Sequence, residues 1–283
     1  MLVKPEEGRG LKMIDFHAYI KPIRNEVLST MKLGVQLYTL RDFAKTLEGF
    51  AQTLARVADI GYTTVQVSGT CAYDPDWLAA ELKKNGLTCP STHFSPDRIA
   101  EDPAKVVEEH GRFGCKMIGL GSAPGIFEPE TFDFDGFVAR FGPAAKIIRQ
   151  AGGRLGYHNH QHEFAKVRGK LMLEHLAETF AKDDLTFILD TYWVQYAGGD
   201  PAAWIDRLAG RVHCVHLKDM SITNGQQRVA AVGDGNLNFD TVLAACARAG
   251  TEQLMVEQDE CYGEDPFECL KRSYAYLRGQ GLS

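Results

Sequence analysis

The stretch YHNHQHEF, residues 157–164, places three of the chain's nine histidines and a carboxylate within eight positions. Imidazole titrates near neutrality, binds divalent metals and accepts protons from carbon acids, so its concentration here points to metal binding or proton transfer. Residues of the same kinds stand at the ends of apolar or β-branched runs elsewhere. His93 lies near the end of LTCPSTHF, Asp190 closes LTFILD, His216 lies in VHCVHLK and Glu257 in QLMVEQ. A carboxylate that directly follows a buried run requires a counter-charge. Asp190 and Glu257 raise that demand twice, His216 offers a neutral nitrogen, and a divalent cation would satisfy all three.

The elements that would position these residues can be read from hydrophobic period. Eight short runs begin near Leu33, Thr63, Leu87, Cys115, Arg154, Leu185, Val212 and Gln253, and segments of helical spacing separate them. TLEGFAQTLARVADIGY, PDWLAAELKKNG and FDGFVARFGPAAKIIRQAGG carry apolar residues at i, i+3 and i+4, and glycines (Gly61, Gly86, Gly152, Gly250) follow several helix ends. Eight β-then-α units predict an α/β fold that closes into a (β/α)8 TIM barrel, in which chemistry gathers at the C-terminal ends of the strands. A doubly wound open sheet is the alternative, but GLGSAPG (119–125) has the wrong spacing for a dinucleotide loop. Along the fifth run a side-chain period of two puts His158 and His160 on one face and Asn159 on the other. His162, His110, His175, His17 and His213 fall on the opposite face, in helices or outside the barrel, and are expected to have structural roles.

Composition narrows the partner. The chain has 283 residues, 45% apolar, with a net charge of −6 spread without blocks, which provides no footprint for nucleic acid or anionic lipid. Seven scattered cysteines without a CxxC pair argue against both disulfides and a thiolate zinc site. No apolar run reaches the roughly 18 residues of a membrane span, so a cytoplasmic location, a small-molecule partner and no membrane contact are expected, with a homo-oligomer left open. Residues 1–31 carry no comparable pattern and are expected to form an extension, disordered or packed on the barrel; residues 32–283 would form the barrel.

Five segments together, YHNHQHEF, LDTYWVQYAGGDP (189–201), VHLKDM (215–220), VGDGNLNF (232–239) and VEQDE (256–260), resemble the sugar phosphate isomerase/epimerase group of the xylose isomerase-like TIM barrels (AP endonuclease family 2), including ketose epimerases and inosose dehydratase. The resemblance implies one divalent metal ion (manganese, cobalt, zinc or magnesium) held by four side chains, of which Asp190, His216 and Glu257 match three. The fourth is usually glutamate, and His158 stands in its place. That exchange removes one negative charge from the site, or else His158 stays off the metal and acts as a base. A carbonyl polarised by such a cation has an acidic neighbouring C–H and forms an enediolate, with His158, Glu163 and Glu257 as candidate bases. The resulting expectation is isomerisation or epimerisation of a sugar or keto-sugar, with β-elimination from a keto-sugar or inosose, and metal-free sugar binding, as alternatives. Tyr192 and Trp193 offer an aromatic wall, Lys218 can neutralise oxyanion charge, and His93 and His160 complete the expected substrate contacts. Asp234 between two glycines disfavours a phosphate nest in VGDGNLNF.

Overall fold

The computed structural model describes residues 30–128 and 130–282. Each of the eight runs forms a strand: β1 (Lys32–Gln36), β2 (Thr64–Val67), β3 (Thr88–His93), β4 (Met117–Leu120), β5 (Arg154–His158), β6 (Leu185–Asp190), β7 (Val212–Leu217) and β8 (Gln253–Val256). Each pairs in parallel with the next, and β8 pairs with β1, so the barrel is closed. Strands covered on both faces read as continuous apolar runs, and all six residues of β6 are buried.

The segments of helical spacing form the outer layer, among them Leu47–Ile60, Pro75–Lys84 and Phe134–Gln150. Gly61 and Gly250 end their helices in the left-handed conformation, with φ of 115° and 76°. Strands and helices enclose the main apolar core, while Met117, Ile188, Cys214 and Met255 from four strands fill the barrel interior. Gly119 and Gly156 pair across β4 and β5, and a Cβ on either would stand 2.9 or 2.8 Å from Ile188 Cδ1. The missing side chains give that interior plug its space.

Of the expected N-terminal extension only Thr30 and Met31 are described, and Met31 is buried in the core beside β1; the remainder, with His17, lies outside the described residues. The seven cysteines are free and five are buried, as small apolar residues would be. No described helix is long and apolar enough to cross a membrane. Two hairpins decorate the strand ends and were not expected from the sequence: Lys166–Val167 with Lys170–Leu171 beyond β5, and Asp219–Thr223 with Gln226–Ala230 beyond β7.

Candidate active site

The C-terminal ends of β5 to β8 bring His158, Asp190, His216 and Glu257 together. One ligand atom from each falls within 4.8 Å of all the others, and every one of the four residues is buried. Register accounts for part of this, because Asp190 pairs directly with His216 across β6 and β7. Glu257 follows the last residue of β8, and its amide donates to the Leu217 carbonyl at the end of β7.

Hydrogen bonds behind the ligands fix which imidazole nitrogen faces the cluster. His158 Nδ1 lies 2.9 Å from the Gly121 carbonyl and must donate to it, which leaves the Nε2 lone pair 3.4 Å from Asp190 Oδ2. Gln66 donates its amide to Ser91 Oγ, so its Oε1 accepts from His216 Nε2 at 2.6 Å. His216 Nδ1 faces Glu257 Oε2, 2.9 Å away, and the same oxygen lies 3.0 Å from Lys218 Nζ. The lone pairs of a neutral imidazole and a carboxylate at this distance, shielded from water, repel, and a metal cation between them would relieve that repulsion. Nitrogen and oxygen donors in this number suit a divalent transition metal or zinc. A proton answers the same demand: burial pulls His216 down, but Glu257 and Asp190 carry its pKa up to about 8. Asp190 is divided between tasks, its Oδ1 capping the helix Thr191–Tyr196 through the Trp193 amide and its Oδ2 facing the cluster.

Lys218 is buried at the centre of the carboxylates. Its Nζ lies 3.0 Å from Asp190 Oδ2, 3.0 Å from Glu257 Oε2 and 2.9 Å from Asp259 Oδ2. Against burial, which disfavours any charge here, Lys218 holds Asp190 and Glu257 well below the ordinary carboxylate range, and the three carboxylates hold Lys218 well above the ordinary ammonium value. Asp259 behaves differently. Burial and the neighbouring Glu257 charge raise its pKa more than Lys218 lowers it.

A cavity of about 660 Å³ opens over this cluster, and His93, His160, Trp193, Lys218 and Asp259 line it. Gln36 donates to His93 Nδ1 at 3.2 Å while its own oxygen accepts the Tyr38 amide, so His93 presents a protonated Nε2 that has no partner. Burial, and then His158 and His216, keep His93 neutral; burial and His158 push His160 down to about 3. Both imidazoles are therefore hydrogen-bonding groups. The His160 ring packs against Trp193 with centroids 5.6 Å apart.

Three expectations need correction. Glu163 does not reach the cavity: fully buried beneath it, its carboxylate accepts from the Tyr157 hydroxyl at 2.8 Å and the His160 amide at 2.7 Å, and burial raises its pKa to about 7. It pins the loop that follows β5. Tyr192 is also turned away, packed with Met220 and Val229 under the second hairpin, so Trp193 alone of that pair faces the cavity. His162, expected elsewhere, stands at the cavity rim against Phe127. The remaining described histidines are structural: His110 bonds Thr92 and the Val106 carbonyl, His175 the Val167 carbonyl, and His213 Thr186. In VGDGNLNF the amides of Gly233, Gly235 and Leu237 all donate to Asp219, so an internal carboxylate takes the place a phosphate would need.

Gln36, Gln66 and Asp259 were missed. The two glutamines pair across β1 and β2, inside LGVQLY and TTVQVS. A primary amide within an apolar run requires a partner as surely as a carboxylate does, and that signal was available in the sequence.

The sequence matches the family described as "Xylose isomerase-like TIM barrel" over residues 54–278. The chain belongs to that family. Among curated proteins, inosose dehydratase of Mesomycoplasma hyopneumoniae is 25% identical over 89% of this chain and 96% of its own length. Among solved structures, a sugar phosphate isomerase/epimerase from Parabacteroides distasonis superposes with a TM-score of 0.73 at 24% identity, covering 89% of this chain and 94% of that one. L-ribulose 3-epimerase superposes with a TM-score of 0.67 at 16% identity, over 89% of this chain and 94% of that one. With this family membership and these relatives, the chain is an enzyme of the isomerase or lyase class.

Proposed function

We propose that the chain removes a proton beside the carbonyl of a keto-sugar or inosose, with a divalent cation held by His158, Asp190, His216 and Glu257. The observation that carries this reading is the convergence of one ligand atom each from buried His158, Asp190, His216 and Glu257, all within 4.8 Å of one another, beneath a cavity lined by neutral His93 and His160. When bound, the cation supplies Lewis acidity that polarises a carbonyl and lowers the pKa of the adjacent C–H.

The chain's own groups do the rest. His93 Nε2 and the His160 imidazole are placed to bind hydroxyls, and Trp193 offers a ring face to the apolar side of a sugar. Glu163 is shielded, and Glu257 and His158 face the cation, so Asp259 is the proton acceptor. It lines the cavity, is partly exposed, and has a pKa raised towards the useful range for a base. Two-sided epimerisation needs a second basic group on the opposite wall. That wall carries His158, whose Nε2 is directed into the cluster, and His160, whose basicity burial removes. Elimination of a β-hydroxyl from a keto-polyol, which one base can start, is therefore favoured over epimerisation, in keeping with the dehydratase relatives.

The test is incubation of the metal-loaded protein in D2O with ketoses, inososes and 3-keto-glycosides, read by NMR. Deuterium at the carbon beside the carbonyl, or an unsaturated product, is expected. Asp259→Asn should retain metal and lose about 10²- to 10⁴-fold in exchange. Full metal occupancy with no exchange on any of these compounds would leave sugar binding without catalysis as the surviving reading.

A further inference from the structure

Lys218 offers three ammonium protons and has three carboxylate oxygens at 2.9–3.0 Å, one each from Asp190, Glu257 and Asp259. Its side chain is 1% exposed and its Nζ lies over the Trp193 ring, 5.2 Å from the centroid. The backbone is anchored as well, since the Lys218 amide donates to Thr191 Oγ1 and the Thr191 hydroxyl lies 2.8 Å from the Lys218 carbonyl. No freely rotating surface lysine is built this way. Two of its three carboxylate partners are oxygens that also face the cation position.

We propose that Lys218 is a resident counter-cation that keeps the ligand carboxylates assembled when no divalent ion is bound, at the cost of weaker binding of that ion. This rests on the reading that the four-residue cluster takes a dication. Three carboxylates within reach of one another in a water-poor pocket repel strongly, and among the described residues Lys218 is the lysine or arginine whose charge contacts all three. The same ammonium repels a dication seated on Asp190 Oδ2 and Glu257 Oε2, because it contacts both oxygens. Once a dication takes the place of any proton at the cluster, three carboxylates and one ammonium leave two negative charges, which that dication balances. Lys218 thereby sets the charge the site can accept as well as its shape before loading.

The experiment compares wild type, Lys218→Met and Lys218→Gln by thermal melting, with excess EDTA and with Mn2+, and by competitive chelator titration of Mn2+. Met preserves the packing of the stem; Gln keeps hydrogen bonding without charge and provides a second variant if Met fails to fold. In EDTA both variants should melt roughly 10 °C below wild type, and Mn2+ should restore most of that loss. Their Mn2+ affinity should be at least about ten-fold tighter than that of wild type. A melting deficit that Mn2+ leaves unchanged, or affinity that is equal or weaker, overturns the proposal while the metal reading stands. Failure of wild type itself to take up Mn2+, Co2+ or Zn2+ overturns both.

Discussion

The two ends of the barrel use the same residue types under opposite conditions. At the N-terminal end, Arg154 binds Glu252 at 3.0 Å, Arg149 binds Asp184 at 2.6 Å, and His213 sits beside them bonded to Thr186. Both arginines are more than two-fifths exposed, and each charge has one opposite partner. At the C-terminal end, Asp190, Glu257, Asp259, His158 and His216 share a single lysine and are largely removed from water. Pairing and hydration make the first end electrically quiet. At the second, carboxylates outnumber fixed cations in a low-dielectric pocket, and it is that imbalance, and not the presence of histidine or acid, that marks a functional site.

Substitutions at the two ends should therefore differ in kind. The largest effect is expected for Asp190→Asn, which removes a charge from the cluster: metal content after dialysis should fall to background and turnover in the D2O assay should drop more than about 10³-fold. Substoichiometric metal alone, with turnover intact, would show that the charge imbalance has another purpose. Next comes Gln66→Leu, which replaces no proposed ligand but removes the acceptor that fixes the His216 tautomer; metal affinity measured by chelator competition should weaken about 10- to 100-fold. If it does not, the Gln66 hydrogen bond is dispensable to ligand orientation.

Glu163 sharpens the comparison from beneath the cavity. Its pKa is raised from 4.5 to about 7 by burial. The folded state thus holds this proton more tightly than the unfolded chain does, so the group's contribution to stability is complete below about pH 4.5 and is lost as pH rises to about 7. The loss is of order 3 kcal/mol. Glu163→Gln should flatten the fall of melting temperature between pH 5 and pH 7.5, and an unchanged slope would mean that Glu163 is ionised throughout. The smallest effect is expected at the opposite end. Arg154→Ala breaks a partly exposed ion pair and should cost no more than about 1 kcal/mol in denaturant unfolding, with metal affinity unaltered.

Much of this was legible in the sequence for a definite reason. Strand and helix periods, and the glycines that end helices, are local properties, so all eight runs could be placed in order and their count suggested closure. Asp190, His216 and Glu257 stood out because each interrupts or ends an apolar run. Glu163 and Tyr192 were misread because sequence adjacency to a ligand does not say which way a loop side chain turns. Glu163 folds back under its own strand to Tyr157, and Tyr192 falls on the buried face of a short helix capped by Asp190. Asp259 was overlooked because it lies beyond the strand end, where no period constrains it.

Composition and period by themselves determined the alternation of strand and helix, the acidic character of the chain, and which polar side chains would demand partners. Tertiary closure decided which partners they found. Lys218 meets Asp190 and Asp259, 28 and 41 positions away, and Gln66 meets His216 across 150 residues, only because the barrel brings β2, β6, β7 and β8 to one rim. Such contacts depend on register and ring closure, and a short stretch of sequence specifies neither.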